Sequence, residues 1–195
     1  MGEQLRGVLL GAAITCAAVL LMPAIAQAQG ALQPEVRTVA AVDLERYLGD
    51  WYEVARLPNW FQRKCLGDVV ATYARRSDGR LDVINRCRTE KEVITARGVA
   101  RVLDSTGTKL KVRFAPAALS FLPFVWGDYW VLGLADDYSW AVVGSPDRKY
   151  LWVLSRTPTL PDDVYAHAIE SARTNGFELE RVQRTENATH STRTP

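Results

Sequence analysis

The chain has 195 residues, 48% of them hydrophobic and 24% charged, a composition typical of one globular domain with short appendages and unlike that of a disordered or fibrous protein. Its 24 Lys and Arg residues are nearly balanced by 22 Asp and Glu, and the basic residues are scattered among acidic ones. This pattern lacks the basic stripe by which proteins bind nucleic acid, so we expect no nucleic-acid partner.

The first 28 residues have the pattern of a signal peptide. Arg6 gives a weakly positive start, an apolar run follows over residues 8–22, and Pro23 interrupts it. Ala26-Gln27-Ala28 then has the small-residue pattern of a cleavage site. We therefore predict that residues 1–28 are removed by cleavage near Ala28 and that the protein is exported to the periplasm.

Two alternative fates of this leader stay open. The apolar run approaches the length of a membrane span, which would make it a retained anchor. Cys16 is a weak candidate for lipid attachment, because it lies in the middle of the run and follows Thr15, where a small Gly or Ala is usual.

Two cysteines, Cys65 and Cys87, remain after the predicted cleavage. In an oxidising compartment two cysteines most simply form a disulfide. Closing this loop would stabilise the fold by about 3 kcal/mol, because it lowers the entropy of the unfolded chain. Two free thiols are the alternative. No His is near either cysteine in the sequence, and we predict no metal site.

Between residues 51 and 155 the sequence alternates short strand-like runs with turn residues. Ser77-Asp78-Gly79 is one such hairpin signal, and residues 104–107 are another. The eight runs cover residues 51–57, 69–75, 81–87, 93–103, 109–115, 129–134, 139–144 and 150–155. Eight antiparallel strands in meander order close into a barrel that holds one small ligand. We therefore predict an all-β fold, an eight-stranded antiparallel up-and-down β-barrel.

A helical period follows the strands. Thr159, Pro161 and two following Asp residues are typical of a helix start, and Gly176 of a helix stop. Apolar residues recur on one face at Val164, Ala168, Ile169 and Ala172. We predict one C-terminal α-helix over residues 161–175, packed on the barrel wall, and a last extended run over residues 177–182.

The predicted organisation has four parts. They are the leader (residues 1–28), an N-terminal segment (29–41), the barrel domain with its helix (42–184) and a flexible polar tail (185–195).

Three short motifs resemble those of the lipocalin family. Gly49-Asp50-Trp51-Tyr52 matches the lipocalin opening motif, Asp137-Tyr138 lies where the second motif is expected, and Arg156 follows the last strand as in the third. The resemblance covers about residues 42–183, and the stretch 146–158 is similar to the bacterial lipocalin and apolipoprotein D branch. A lone Gly-x-Trp is weak, whereas three ordered motifs combined with eight strands and a helix are specific.

The resemblance implies structural roles for Gly49, Trp51 and Arg156. In lipocalins the Trp fills the closed end of the barrel, and the Arg lies across the indole from outside in a cation–π contact. Gly49 would let the preceding short helical turn approach the barrel floor closely. None of the three is expected to touch a ligand.

Strand alternation, together with the resemblance, predicts the residues that face the barrel interior. With Trp51 inward, Glu53 and Ala55 follow on the same face, and counting back from Arg156 gives Leu154 and Trp152. The predicted ligand-binding residues are Ala55, Ala71, Tyr73, Val83, Asn85, Val112, Phe114, Tyr129, Tyr150 and Trp152. Small residues opposite aromatic ones indicate a cavity, and a filled core is the alternative.

Two further groups of residues bear on a ligand. Glu53 and Asn85 would be polar groups inside the barrel and need partners there, and we prefer a structural role for Glu53. Five aromatic residues lie in or beside loops near the open end, namely Trp60, Phe61, Phe121, Phe124 and Trp126. They indicate a ligand mouth, a contact with a membrane surface or a cluster of loop side chains.

The lipocalin resemblance implies a binding function rather than catalysis. We expect storage or transport of a small lipid, a fatty acid or lysophospholipid, in cell-envelope lipid handling, with outer-membrane association as the variant known among bacterial relatives. The expected state is a monomer or weak homodimer without a cofactor. A small-lipid-processing enzyme, a haem or pigment carrier and a pure interaction module are the alternatives. Neither His167 nor His190 belongs to a plausible catalytic triad.

Overall fold

The computed structural model describes residues 34–188, so the predicted leader, Cys16 and His190 lie outside the described residues. The helices are α1 (Leu44–Tyr47) and α2 (Asp162–Thr174). The strands are β1 (Gly49–Arg56), β2 (Gly67–Arg75), β3 (Leu81–Arg88), β4 (Val93–Val102), β5 (Lys109–Arg113), β6 (Gly127–Leu134), β7 (Trp140–Gly144), β8 (Leu151–Ser155) and β9 (Gln183–Arg184).

Strands β1 to β8 form a closed antiparallel barrel. Each strand pairs with the next along the chain, and β8 pairs back onto β1. The prediction of an eight-stranded antiparallel barrel with one main helix after it is confirmed. Runs of alternating apolar residues carry this fold because each strand must present one face to the interior.

The apolar residues form two clusters, one on each side of the barrel wall. Strand β7 shows the division, since Ala141 and Val143 face the interior while Val142 faces outward. The outer cluster also contains Ala168 and Ile169 of α2. A helix therefore covers the outside of β6, β7 and β8, which explains why these strands are apolar on both faces.

Helix α2 packs on the wall through the face that the sequence predicts. Ala168, Ile169 and Ala172 are buried, and acidic residues occupy the first turn. At its end Gly176 has φ +74°, its N–H donates to the carbonyl of Arg173, and the N–H of Phe177 donates to that of Ala172. Neither helix within residues 34–188 is long and apolar enough to cross a membrane.

The prediction of an extended run over residues 177–182 is wrong. A 3-10 turn, Leu179–Arg181, occupies half of it. Phe177 is buried against Gly144 of the barrel wall, where an added Cβ would lie 2.8 Å from the phenyl ring. After this turn the chain reaches β1, with which Gln183 and Arg184 pair.

Residues 183–188, here called the seam segment, complete the barrel wall between β1 and β2. These two strands pair only from Gly49 to Tyr52, and beyond that point β9 pairs with Ala55 and Arg56. The N–H of Thr185 donates to the carbonyl of Val54, and the N–H of Asp68 donates to that of Glu186. The prediction of a flexible tail from Thr185 onward is therefore wrong for residues 185–188.

Candidate functional site

The direction of the strands gives the barrel a closed end and an open end. At the closed end lie α1, the start of β1 and the turns at residues 76–80, 103–108 and 135–139. At the open end lie the loops over residues 57–66, 89–92, 114–126 and 145–150. The open end carries the longest loops, which are the usual place for binding residues.

Arg156 and Trp51 seal the closed end. The guanidinium carbon lies 3.8 Å from the centroid of the indole, and the two terminal nitrogens donate to the carbonyls of Asp50 and Arg46. Burial lowers the pKa of Arg156. The Trp51 side chain is fully buried and its Nε1 donates to the Tyr47 carbonyl at 2.8 Å. The side chains of Arg156 and Trp51 therefore contact each other and the neighbouring backbone.

Gly49 has a different role from the one expected. Its φ is +92°, a conformation that L side chains rarely adopt, and an added Cβ would lie 3.4 Å from Nη1 of Arg156. The glycine is required by backbone conformation and by the neighbouring Arg156, rather than by approach of α1.

Tyr138 of the second motif fastens the N-terminal turn to the same end. Its hydroxyl accepts a hydrogen bond from the N–H of Asp43 at 2.7 Å, and Arg46 lies 4.0 Å from its ring centroid. All three motifs therefore meet at the closed end, away from the loops.

The lower half of the barrel, next to this end, is filled. The inward residues Val83, Val131 and Val143 are at most 2% exposed, so no water-sized space adjoins them. The hydroxyl of Tyr129 lies 2.8 Å from that of Tyr47 and accepts a hydrogen bond from that of Tyr73 at 3.0 Å. Three of the predicted lining residues, Tyr73, Val83 and Tyr129, thus belong to a packed floor.

Burial of the three phenols has an electrostatic consequence. It raises the pKa of Tyr73 to about 12 and those of Tyr47 and Tyr129 well above the ordinary value. The phenols are neutral and serve as hydrogen-bonding groups at neutral pH.

The upper half is open. Ala71, Asn85 and Val112 are half-buried, whereas Ala96 and Phe114, on the same inward faces of β4 and the end of β5, are exposed. Within residues 34–188, β4 pairs with β5 only from Val99 to Val102, so the wall is incomplete above Val99. We call this space the upper lumen.

Gly98 makes room for Phe114 at the side of the upper lumen. A Cβ on Gly98 would lie 2.8 Å from Cδ1 of Phe114 and 2.7 Å from the carbonyl oxygen of Arg113. Phe114 is 44% exposed and borders the opening rather than filling the interior.

Ala55 does not line the lumen. A β-bulge between Glu53 and Ala55 shifts the pairing with β8, so that Ala55 faces Val153 in the outer cluster beneath α2. The prediction that Ala55 points inward is wrong, because an inserted residue reverses the alternation that the prediction assumed. The same bulge pairs Arg56 with Trp152, so that the two side chains lie on the same face of the sheet.

A buried polar network lies where β1, the first open-end loop and the seam segment meet. The carboxylate of Glu53, 3% exposed, accepts hydrogen bonds from Arg56 at 2.5 Å, Gln62 at 2.6 Å and Thr185 at 2.6 Å. Gln62 in turn accepts from Nε1 of Trp152 at 2.9 Å. Arg56 and Gln62 were not among the sequence predictions, since neither a bulge nor a loop conformation leaves a periodic signal.

Three aromatic rings stack beside this network. Tyr150 and Trp152 lie parallel with centroids 5.9 Å apart, and Phe61 lies 5.6 Å from Tyr150 and 6.2 Å from Trp152. Phe61 thereby connects the first open-end loop to strand β8.

Trp126 is not part of the open-end aromatic group. It is 7% exposed and lies on the outer face, 4.4 Å from the guanidinium carbon of Arg101 and 5.3 Å from that of Arg113. The two arginines cover its ring, which removes it from the mouth.

Exposed large apolar residues gather at the open end. Leu103 is the exception, at the closed end. Within residues 34–188 the others form what we call the apolar rim: Trp60, Phe61, Leu66, Val93, Ile94, Phe114, Leu119, Phe121 and Phe124. Trp60, Phe121 and Phe124 are between 72% and 80% exposed, so they project into solvent instead of covering one another.

The disulfide prediction is confirmed. Cys65 and Cys87 are bonded, with Cα atoms 5.6 Å apart, and the bond ties the first open-end loop to β3. His167 contacts Trp140 edge-on on the outside of the barrel, at 5.7 Å between centroids. Within residues 34–188, His, Cys, Asp and Glu form no group of three or more that could hold a metal ion.

Comparison with known proteins gives a consistent result. A family model described as a lipocalin-like domain matches residues 42–187. The chain is 38% identical over 154 residues to temperature-induced lipocalin-1 of Arabidopsis thaliana, covering 77% of this chain and 82% of that protein. It is 41% identical over 151 residues to the outer membrane lipoprotein Blc of Vibrio cholerae, covering 75% and 84%.

More distant relatives share the fold. Bovine apolipoprotein D is 29% identical over 182 residues, covering 84% of this chain and 91% of that protein. The structure of insecticyanin from the tobacco hornworm Manduca sexta superposes with a TM-score of 0.62 at 19% identity, covering 80% of this chain and 86% of that one.

Proposed function

The chain belongs to the lipocalin family, whose members bind small hydrophobic ligands, and from this premise we propose that it stores or carries a fatty acid or lysophospholipid in the upper lumen. The observation that carries the proposal is the exposure of the inward-facing Ala96 above a floor that is closed at Val83. The same premise favours binding over catalysis.

Desolvation supplies the affinity. Each acyl methylene moved from water into an apolar site gains about 0.8 kcal/mol, from which ordering costs are subtracted. Ala71, Val112 and Trp152 provide apolar walls, and the small side chains leave the width that a chain needs.

Filling the upper lumen tests this proposal. Ala96→Trp places an indole on the inward face, and Thr95→Trp places it on the outward face one residue away, where both parent residues are exposed. We expect Ala96→Trp to weaken binding of the fluorescent fatty acid cis-parinaric acid at least about tenfold, because a bulky ring removes the space for several methylenes. Equal binding by both variants would place the ligand elsewhere.

We further propose that the apolar rim contacts a lipid surface in the cell envelope. Relatives named outer membrane lipoprotein support export to the envelope, and the predicted leader agrees with it. The rim surrounds the mouth of the upper lumen, so a lipid could pass between membrane and barrel without crossing water. Lys64 is exposed in the first open-end loop, two residues from the rim residue Leu66, and adds a positive charge suited to anionic headgroups.

Vesicle binding tests this contact. The double variant Phe121→Ser/Phe124→Ser removes two exposed rim residues, and Leu103→Ser removes a comparable exposed residue at the closed end. We expect the rim variant to lose most of its co-sedimentation with phosphatidylglycerol-containing vesicles, whereas Leu103→Ser retains it. Similar retention by the two variants would contradict the contact.

A further inference from the structure

Asn85 is the polar residue at the bottom of the upper lumen. It lies inward on β3, in register with Ala71 on one side and Ala96 on the other, and neither alanine offers a hydrogen-bonding side chain. The next inward residue on β3 toward the closed end is Val83, which belongs to the filled floor. The end of β3 at Arg88 is three residues away, about 10 Å along the strand.

The Asn85 amide is incompletely satisfied. Its Oδ1 is buried and has no hydrogen-bond partner, although buried polar atoms are nearly always paired. Oδ1 is closed to solvent as it stands, but rotation about the last side-chain torsion of asparagine is soft and would bring it to the lumen. Ala96 beside it is exposed, on the stretch of β4 that β5 leaves uncovered, so the inward face is accessible at this level.

The chemistry of an amide selects its partner. An amide both donates and accepts, and a hydroxyl is the small group that does both in return. A carboxylate accepts only and would leave Oδ1 unpaired, and a methyl group satisfies neither atom. An unpaired buried acceptor costs free energy, so a ligand ending in a hydroxyl should bind more tightly than one ending in a carboxylate or a methyl group.

We propose that Asn85 is a specificity-determining residue and that the preferred ligand carries a hydroxyl at the end that enters the barrel. This inference rests on the proposed function, because it assumes that the upper lumen takes the ligand. Within the proposed lipid class, the preferred ligand is then one whose inserted end carries an O–H group, which binds in preference to a plain saturated chain.

Two probes that differ by one atom test the inference. 12-Hydroxydodecanoic acid and dodecanoic acid share the carboxylate and chain, and only the first has a hydroxyl at the inserted end. For the wild-type protein we expect the hydroxylated acid to bind at least as tightly as the plain one, whereas an apolar pocket would reject it. In Asn85→Leu we expect the ratio of the two affinities to shift against the hydroxylated acid by about fivefold or more, the worth of one hydrogen bond.

The control variant is Arg86→Leu, which changes the exposed outward neighbour on the same strand and should leave the ratio unchanged. A second measurement avoids any folding defect: in wild-type protein the side-chain amide resonances of Asn85 should shift strongly with the hydroxylated acid and weakly with the plain one.

The outcomes separate the two proposals. If both acids bind and the ratio is the same in wild type and Asn85→Leu, the role of Asn85 is refuted while lipid binding stands. If neither acid binds the wild-type protein, the proposed function fails and the inference fails with it.

Discussion

Arg156 combines three contacts that no other side chain would reproduce. It faces the Trp51 ring and spans two backbone carbonyls with its planar fork. Arg156→Ala should lower the free energy of unfolding by about 2–3 kcal/mol, since it removes a cation–π contact and leaves carbonyls without donors. Urea unfolding measures the loss, and Arg156→Lys should recover part of it, because lysine keeps the charge but not the fork. An unchanged midpoint in Arg156→Ala would show that the seal adds no stability.

The buried phenols predict how stability depends on alkaline pH. A raised pKa in the folded state means that the stabilisation is complete below the unfolded value near about 10 and declines as pH rises toward about 12 for Tyr73. Each such group contributes a slope of about 1.4 kcal/mol per pH unit within that interval. Tyr73→Phe should therefore flatten the decline in unfolding free energy over this interval, measured by urea unfolding at successive pH values. The same slope in both proteins would contradict the assignment.

Single-residue predictions from the sequence succeed where alternation is unbroken. Trp152 and Leu154 face inward as counted, and so do Ala71 and Asn85. Ala55 fails because a bulge is set by strand geometry and leaves no mark in the hydrophobic pattern. Trp126 could not be separated from the other loop aromatics in the sequence, because its contact with Arg101 joins distant parts of the chain that no local window contains.

At the scale of elements, the seam segment shows how a short piece of chain carries stability. The Thr185 hydroxyl donates to the buried carboxylate of Glu53 at 2.6 Å, a hydrogen bond to a charged group. Thr185→Val keeps the shape and removes the donor, so we expect a loss of about 1.5–3 kcal/mol in unfolding free energy. Thermal or urea unfolding gives the value.

The matched control is Thr174→Val on the exposed end of α2, whose hydroxyl bonds only the neighbouring turn. Its effect should stay within about 0.5 kcal/mol, as for most surface changes. Comparable losses in both variants would mean that the Thr185 hydrogen bond stabilises the fold no more than one at an exposed helix end.

The eight barrel strands and α2 could be predicted because each is long enough to show its period. Strand β9 has two residues, Gln183 and Arg184, which is too short for any period. Its existence follows from the gap that β1 and β2 leave, a tertiary property. The turn Leu179–Arg181 is likewise only three residues long, too short to show a period.

At the scale of the whole molecule, ligand binding should appear as thermal stabilisation. A ligand at about 100 times its Kd that binds only the folded state adds about 2.7 kcal/mol. For a domain of this size that corresponds to an increase in Tm of about 5–10 °C. Scanning calorimetry with cis-parinaric acid should show the increase in wild type and not in Ala96→Trp. A rise of equal size in the variant would locate the ligand outside the upper lumen.

The sequence predicts the barrel fold, but it does not predict how much space the barrel encloses. Both a cavity and a filled core were compatible with the lining residues, and the structure has a filled floor below an upper half whose inward residues are half-buried or exposed. Val83 and Asn85 are two residues apart on one strand, yet the first belongs to the floor and the second to the lumen. That boundary depends on how side chains from several strands meet, including Leu110 of β5 and Val143 of β7.

The late position of the seam segment along the chain bears on how the molecule forms. Val54 lies in the first barrel strand, and its partner Thr185 comes after all the other strands and α2. Contacts between such distant positions form slowly, because most of the chain must be in place first. During synthesis the gap between β1 and β2 therefore stays open until the seam segment has left the ribosome, so the barrel can close only when almost the whole chain has been made.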